Sequence, residues 1–258
     1  GQEMTTPLLQ LESLVKRFGG LTATDHASLS VMPGEVHALI GPNGAGKTTL
    51  IHQISGAMAS DEGTLRFNGT DITHLPMHER VLAGLARSYQ ITSIFRRLSV
   101  LDNVALAVQA RQGSSMRFWQ RARDERARYD EAAAVCERVG LGARVHTLSG
   151  SLAHGEQRQL EVGLALATQP KLLLLDEPMA GMGPDESEKM VHLLLSLRGE
   201  TTILLVEHDM GAVFRLADRI STLVFGKVIA SGTPEEIRNH PEVRRAYLGD
   251  EEHEGATA

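Results

Sequence analysis

The residues whose types and spacing indicate a chemical role most clearly form a glycine-rich run at positions 41–50. The run matches the phosphate-binding pattern G-x-x-x-x-G-K-[ST], and it lies between an apolar stretch and a helical stretch at 48–54. Glycines let the backbone wrap around phosphates, and the N–H groups at a helix start attract anions. Lys47 can reach the terminal phosphates, and the Thr48 hydroxyl can bind Mg²⁺. The run therefore predicts a nucleoside triphosphate site at Gly41, Pro42, Asn43, Gly44, Ala45, Gly46, Lys47, Thr48 and Thr49.

Two carboxylates follow an apolar run further along the chain. Residues 172–175 are all leucine, and Asp176 and Glu177 come next. Ligands of open parallel sheets bind at the carboxyl ends of the strands, so both carboxylates are expected at the triphosphate. We expect Asp176 to hold Mg²⁺, directly or through water, and Glu177 to accept a proton from the water that attacks the terminal phosphate. The alternative is a solvated acidic turn, which the phosphate-binding run upstream disfavours.

These motifs require a sheet that carries them to one edge. Buried apolar runs at 36–40, 172–175 and 203–206 alternate with helical stretches at 48–54, 155–167 and 185–197. Such alternation is typical of a parallel sheet covered on both faces. Further strands are expected at 8–17, 24–31 and 64–67, with two short ones near 222–230. The sequence thus predicts an α/β fold.

Residues 76–148 differ from this pattern. Helical spacing at 101–108 and 116–139, with frequent arginine, predicts a helical subdomain inserted into the core at about 91–165. Because the sequence contains no internal repeat, we expect one catalytic unit over residues 8–248. The acidic tail at 249–258 is expected to be disordered.

Composition narrows the classes of partner. A net charge of −6 argues against nucleic acid as the main partner, because binding to a phosphate backbone requires a basic face. The single cysteine, Cys136, cannot form an internal disulfide, and we expect a buried apolar role for it. No secretory signal is visible, and no apolar run approaches the roughly 20 residues that cross a bilayer. Any membrane function would therefore require other chains.

A third motif opens the predicted helix at 155–167. Small residues precede the helix start in the run SLAHGEQR at 151–158, which forms a second candidate anion site. With this run the chain resembles the nucleotide-binding subunits of ABC transporters over residues 8–248. The resemblance implies a P-loop ABC-type ATPase core with a mixed sheet, an N-terminal antiparallel β subdomain and an inserted helical subdomain. In that family two subunits meet head to tail, and the signature helix of each caps the ATP of the other, here through Ala153, His154, Gly155 and Glu156.

The resemblance also assigns three single residues. Phe18 matches the aromatic residue that stacks on adenine, and Gln90 matches the glutamine that contacts the metal and the attacking water. His208 matches the histidine that contacts the terminal phosphate. Without the resemblance these would be an ordinary strand residue, a loop residue and a structural histidine. The implied metal ligands are Thr48, Gln90 and Asp176, and the implied cofactors are ATP and Mg²⁺.

Two positions depart from the family pattern. Ala153 stands where the family usually has serine, so one hydroxyl donor to the phosphate across the interface is missing. We expect weaker capping of ATP, with activity retained, because the neighbouring N–H groups and the helix start remain. Gly183 stands where the loop after the glutamate usually carries aspartate, which calls communication between the two ATP sites into question.

Four segments resemble a narrower group, the ATP-binding subunits of branched-chain (hydrophobic) amino-acid importers. These segments begin at residues 153, 179, 206 and 244. The resemblance implies a second ATPase subunit, identical or different, two permeases, and an extracytoplasmic solute-binding protein that acts indirectly. It also implies a peripheral location on the cytoplasmic face of the cell membrane. Relatives serve urea, amides or aromatic compounds, and the sequence does not define the cargo.

Two further segments admit more than one reading. Residues 91–101 are unusually apolar and are expected to receive a short permease helix, the alternative being packing within the helical subdomain. The arginines between 111 and 128, with Phe118 and Trp119, could contact anionic lipid headgroups, but a solvated helical face is favoured.

Two other classes of ATPase compete with an importer subunit. A soluble ABC ATPase acting on nucleic acid would carry long coiled coils, or two ATPase units when it acts on ribosomes. This chain has one unit and lacks sustained heptads between Lys47 and Gly155. The ATPase of a lipid or lipopolysaccharide extraction system also lacks fused membrane spans, so that alternative stays open.

Overall fold

The computed structural model describes residues 5–42, 44–88, 94–112 and 121–247, without the side chains of 121–123. The strands are β1 (Leu9–Phe18), β2 (Leu21–Val31), β3 (Val36–Ile40), β4 (Glu62–Phe67), β5 (Thr70–Asp71), β6 (Leu85–Arg87), β7 (Leu172–Asp176), β8 (Thr202–Val206), β9 (Arg219–Val224) and β10 (Lys227–Gly232). The helices are α1 (Lys47–Ser55), α2 (Met77–Leu82), α3 (Val100–Gln112), α4 (Arg121–Arg138), α5 (His154–Ala167), α6 (Pro184–Leu197), α7 (Met210–Leu216) and α8 (Pro234–Arg238).

The chain divides into two compact units. The first contains the described residues up to Leu85, the segment Leu174–Glu177, and the described residues from Arg198 onward. The second contains the described residues of Ala86–Leu173, together with Pro178–Leu197. It holds helices α3 to α6 and two short 3-10 helices, Gly142–Arg144 and Ser149–Ser151.

Two sheets carry the strands. The antiparallel sheet has the order β2-β1-β4-β5, and the mixed sheet has the order β10-β9-β3-β8-β7-β6. Strand β3 is parallel to both β8 and β9, and every residue of β3 and β8 is buried. Continuous burial explains why these strands are mostly apolar in sequence, with His37 as the exception in β3, because helices cover both faces of a parallel sheet. The predicted α/β class, with a mixed sheet, an antiparallel sheet and a helical part, is confirmed.

The elements that the sequence missed are short. They are β5, α2, α7 and α8, none longer than seven residues, and so short a segment shows no helical or strand periodicity. Helix α3 is longer than the predicted 101–108, and α4 is described from Arg121, whereas 113–120 lie outside the described residues. The predicted tail at 249–258 also lies outside them.

A buried series of hydrogen-bonded side chains joins three strands of the mixed sheet, β3, β9 and β10. His37 is 1% exposed, with Nδ1 3.0 Å from Glu35 Oε1 and Nε2 2.7 Å from Ser221 Oγ. The Ser221 and Ser231 hydroxyls lie 2.7 Å apart and continue the series into β10. Each polar atom in this series has a partner, which removes the desolvation cost of placing histidine in a core strand. Burial alone would raise the pKa of Glu35, but the hydrogen bonds with His37 and with the Met32 N–H, together with the nearby positive charge of Arg219, lower it below its usual value.

Cys136 is buried in α4, as expected for an apolar role. Burial raises the pKa of its thiol to about 11, which keeps the thiol protonated and unreactive near neutral pH. Among the described residues no helix combines the length and the apolar composition that crossing a bilayer requires.

The side chain of Arg80 caps the carboxyl end of α1, the helix that follows the glycine-rich run. The Arg80 side chain is 4% exposed, and its Nη1 donates to the carbonyls of Gln53 and Ile54, each at 2.8 Å. Its Nε donates to Leu75 O at 2.8 Å, and its Nη2 donates to Thr73 O at 3.1 Å. The last carbonyls of a helix have no partner within the helix, so this guanidinium satisfies them and joins α1 to the 73–75 loop.

We expect Arg80→Ala to lower the free energy of unfolding by about 2–4 kcal/mol, because four carbonyls lose a charged donor in a buried setting. The matched control is Arg66→Ala, which removes an exposed arginine of β4 and should change stability by less than about 0.5 kcal/mol. Urea denaturation of both variants measures the difference. Equal stabilities for the two variants would contradict the role given to Arg80.

Candidate functional site

The glycine-rich run joins the carboxyl end of β3, an interior strand of the mixed sheet, to the start of α1. Gly46 precedes α1 with φ 97°, and a Cβ at this position would lie 2.8 Å from Ala23 O. Gly41 also packs closely, because a Cβ there would lie 2.2 Å from Leu223 O. Side chains at these two positions would displace the loop from β2 and β9. The Lys47 ammonium donates to Gly41 O, so the lysine lies along the same loop.

A cavity of about 500 Å³ opens at this loop, and its size is that of a small-molecule site. All of the residues that line it belong to the first unit. Predicted site residues among them are Phe18, Gly44, Ala45, Gly46, Lys47, Thr48, Thr49 and Glu177. Gly41 and Pro42 enter the loop from β3, and Asn43 lies outside the described residues. The structure therefore brings the predicted aromatic residue, the loop and the predicted general base together.

Glu177 follows β7 in an unusual backbone conformation. Its φ is 48°, in the left-handed region that side-chain-bearing residues rarely adopt, and its N–H donates to Val206 O at 2.7 Å. Strained backbone of this kind is concentrated at functional sites. The Glu177 Oε1 lies 3.2 Å from His208 Nδ1, and these two side chains are 41% and 64% exposed. Two predicted catalytic residues thus form a pair that solvent can reach.

The loop that carries His208 is held by a buried carboxylate. Glu207 is 1% exposed, and its Oε1 accepts hydrogen bonds from the N–H groups of His208 at 3.0 Å and Asp209 at 3.3 Å. Asp209 then caps α7 by accepting from Ala212 N at 3.2 Å. Glu207 therefore fixes the position of the loop, a role that sequence reasoning missed, because a glutamate at the end of a buried strand resembles a solvated one.

The signature segment lies in the second unit, at the start of α5. Ala153 and His154 are exposed, whereas Gly155 is buried, and a Cβ on Gly155 would lie 3.0 Å from the Glu186 carboxylate. Ala153 has no side-chain acceptor, so the cap consists of Glu156 Oε1, which accepts from Ala153 N at 3.2 Å. Glu156 also pairs with Arg144 at 3.1 Å. The helix start is thus exposed at the two positions that a ligand would meet first.

His154 also contacts the loop that follows Glu177 in sequence. Its Nε2 lies 2.9 Å from Ala180 O, and the ring is 3.2 Å from the position of a Cβ on Gly181. Gly181 has φ 74°, while a Cβ on Gly183 would meet open space. The loop containing Gly183 is therefore joined to the signature segment within the second unit.

The predicted metal ligands are described only in part. Thr48 lines the cavity, Asp176 ends β7, and Gln90 lies outside the described residues. Over residues 5–42, 44–88, 94–112 and 121–247, no group of three or more His, Cys, Asp or Glu side chains forms a metal site. Hydroxyl and carboxylate oxygens suit Mg²⁺, which protein sites hold with few protein ligands together with substrate phosphates and water. Thr48 and Asp176 fit that pattern.

The cavity has further walls that sequence reasoning did not include. They are Leu21, Thr22 and Ala23 from β2, and Phe225 from the β9–β10 turn. The β2 residues follow Phe18 by a few positions, so the aromatic assignment could have been extended to them. Phe225 is distant from every motif in sequence, and only the fold brings it to the cavity.

Models of two protein families match this chain. The ABC transporter family model matches residues 24–180, and a model for the branched-chain amino acid ATP-binding cassette transporter matches residues 227–253. The first match spans the glycine-rich loop, the signature segment and Glu177. The second covers β10 and the residues after it.

Individual proteins agree with the family models. The chain is 40% identical to LivG of Escherichia coli, a high-affinity branched-chain amino acid transport ATP-binding protein, over 96% of this chain and 100% of LivG. It is 33% identical to LptB of Haemophilus influenzae, a lipopolysaccharide export system ATP-binding protein, over 95% and 98% of the two chains. The crystal structure of MJ1267, an ATP-binding cassette of an ABC transporter in its ADP conformation, matches with a TM-score of 0.81, 29% identity, and coverage of 95% and 100%. The family match includes the glycine-rich loop, the two carboxylates at the end of β7 and the signature segment. This chain therefore belongs to the ATP-binding cassette family of ABC transporters.

Proposed function

We propose that this chain binds and hydrolyses ATP to power an ABC importer for branched-chain or other hydrophobic amino acids. The observation that carries the ATPase function is the cavity lined by the phosphate-binding loop, Phe18 and Glu177, the last of which pairs with His208. The amino-acid cargo is supported by the likeness to LivG over nearly the whole of both chains and by the family match at residues 227–253.

Binding of ATP follows from the chemistry of the cavity walls. Phe18 offers an aromatic face to the adenine, and the loop N–H groups and the start of α1 attract the phosphates. Lys47 carries the positive charge that reaches the terminal phosphates. Mg²⁺, held by Thr48 and Asp176 with Gln90, would neutralise the charge that develops on the transferred phosphoryl group.

Hydrolysis requires a base aimed at a water molecule next to the terminal phosphate. Glu177 lines the cavity, and its carboxylate is partly exposed, so it can accept a proton from that water. His208 lies against Glu177 and contacts the terminal phosphate. Glu207, which is buried, accepts a hydrogen bond from the His208 N–H and so holds the His208 backbone in place.

The site is completed by a second ATPase subunit, identical or different. Its signature helix start supplies N–H groups to the terminal phosphate, as Ala153, His154, Gly155 and Glu156 of this chain do for the partner. The exposure of Ala153 and His154 supports this proposal, because residues that meet another molecule must be free at the surface. ATP then closes the dimer, and hydrolysis releases it.

Coupling to transport requires permease subunits in the membrane. This chain would bind them from the cytoplasmic side, as a peripheral protein. Phe95 supports a docking role, because its side chain is 54% exposed while its backbone is held by Asn103 and Ser149. The N–H of Phe95 donates to Asn103 Oδ1 at 2.8 Å, and Ser149 Oγ donates to Phe95 O at 2.8 Å. Residues 91–93 of the same predicted surface lie outside the described residues. An extracytoplasmic solute-binding protein would act on the permeases, not on this chain.

The strongest alternative is the ATPase of a lipopolysaccharide extraction system, because LptB also matches nearly the full chain. Importers of urea, amides or aromatic compounds are further alternatives. Co-purification from detergent-solubilised membranes separates these possibilities, since the permease chains recovered with this protein identify the system. Recovery of nucleic acid or ribosomes without permeases would contradict a transport role.

Glu177→Gln should lower the ATPase rate by about 10²–10⁴-fold, because the amide cannot accept the proton of the attacking water. Its affinity for ATP should stay within about twofold of the original chain, since the phosphate loop is unchanged. Steady-state turnover and calorimetric titration with ATP and Mg²⁺ measure the two quantities. The control is Glu242→Gln, an exposed carboxylate of the same unit. An E177Q rate within twofold of the control would rule out the general-base role.

Ala153→Ser should strengthen ATP-dependent dimer formation, because it restores a hydroxyl donor to the phosphate held across the interface. A hydrogen bond to a charged group contributes about 1.5–3 kcal/mol, so a gain of about tenfold or more in dimer affinity is expected. Serine also caps α5 in the monomer, an effect that is present with ADP as well as with ATP. Analytical ultracentrifugation in the two nucleotides therefore isolates the interface, and equal affinities of A153S and the original chain in ATP would show that the hydroxyl is irrelevant.

A further inference from the structure

Phe225 is an exposed aromatic residue to which neither the motifs nor the family resemblance gives a role. Its side chain is 81% exposed, and it lines the cavity at the phosphate-binding loop. Among the described residues seven large apolar side chains are exposed, and three of them, Phe18, Leu21 and Phe225, line this cavity. Single exposed apolar residues are ordinary, but a group around one cavity marks a binding surface.

The backbone at Phe225 is unfavourable for phenylalanine. Strands β9 and β10 are joined by a two-residue turn, Phe225-Gly226, with φ values of 47° and 78°. Positive φ at both central positions is the type I′ turn, in which Asn, Asp or Gly is preferred at the first position. A bulky side chain with positive φ is a genuine outlier, and such outliers are found where function selects them.

The turn is attached to the backbone that holds the phosphates. Gly226 N donates to Ala45 O at 2.8 Å, and Gly226 O accepts from Asp25 N at 2.9 Å. A Cβ on Gly226 would lie 2.4 Å from Ala23 O, so this approach needs glycine. The position of Phe225 beside the cavity is therefore fixed by contacts to the phosphate-binding loop and to β2.

Phe18 is held at the same cavity by a charged neighbour. The Lys16 ammonium lies 5.5 Å from the centroid of the Phe18 ring and 3.7 Å from Asp61 Oδ1. This cation–π contact restrains the ring at the end of β1. Two aromatic rings, on β1 and on the β9–β10 turn, thus border one cavity.

We propose that Phe225 is a nucleobase-binding residue, which packs on the adenine of ATP and forms the base-binding end of the cavity together with Phe18 and Leu21. The proposal rests on the ATP site of the proposed function and adds a contact to it. A nucleobase presents a planar π face, and stacking on an aromatic side chain is the contact that such a face makes best. The strain in the turn is explained if the ring is retained for this contact.

The test replaces Phe225 by Asn, the residue that a type I′ turn prefers. Calorimetric titration in the presence of Mg²⁺ measures the affinities of Phe225→Asn for ATP and for inorganic tripolyphosphate. The Kd for ATP should rise about fivefold or more, the low end of the effect of one stacked base, whereas the Kd for tripolyphosphate should not change. The melting temperature without nucleotide should rise by about 2–4 °C, because Asn suits the turn. A residue with a purely structural role would not combine higher stability with weaker ATP binding.

Two controls accompany the test. Phe225→Tyr keeps the aromatic ring and should retain the original affinity for ATP, while Leu82→Asn changes an 84% exposed residue of α2 that does not line the cavity and should leave both affinities unchanged. Unchanged affinity for ATP in Phe225→Asn would overturn the proposal. An equal loss of affinity for ATP and for tripolyphosphate would overturn it too, because the substitution would then act through the phosphate-binding loop. Lys47→Ala tests the ATP site separately. If that variant binds ATP as well as the original chain does, the proposed function itself fails.

Discussion

Close backbone packing around the phosphate-binding loop is the constraint on which the rest of the site depends. Gly41 lies against the Leu223 carbonyl, and Gly46 lies against the Ala23 carbonyl, so the loop is enclosed by β9 and β2. The hydrogen bond from Gly226 N to Ala45 O attaches the β9–β10 turn to the same loop. Because these contacts are between backbone atoms, the loop has little freedom to relax around a side chain. The fold therefore fixes the conformation of the loop through contacts to β2, β9 and the β9–β10 turn.

The pair of Glu177 and His208, to which we assign the catalytic roles, is held by a second set of contacts. The left-handed backbone of Glu177 is fixed by its hydrogen bond to Val206 O, and buried Glu207 holds the backbone of His208 in the loop that follows β8. Glu177 and His208 follow the carboxyl ends of β7 and β8, which are adjacent strands of one sheet. This arrangement places Glu177 Oε1 3.2 Å from His208 Nδ1. The strain at Glu177 is thus maintained by contacts that lie outside the cavity.

The parts of the fold that the sequence predicted are those encoded by local patterns. The glycine-rich loop, the leucine run before Asp176 and the helix after Ala153 each have a characteristic spacing, and the structure has a strand or helix at each. Contacts between distant residues could not be predicted in this way. Arg80 as a cap for α1, the His37–Ser221–Ser231 series and the location of Phe225 depend on tertiary packing, which a single sequence does not display. The metal and catalytic roles of the predicted residues remain proposals that geometry supports.

The most direct measurement of the central claim is a structure of this protein with ATP and Mg²⁺ bound, determined with its second ATPase subunit. The account predicts one γ-phosphate that is bonded to Lys47, lies one water molecule away from Glu177, and contacts the signature helix start of the opposite subunit. A nucleotide whose γ-phosphate lies far from Glu177, or is approached by no helix start of a second subunit, would contradict the account.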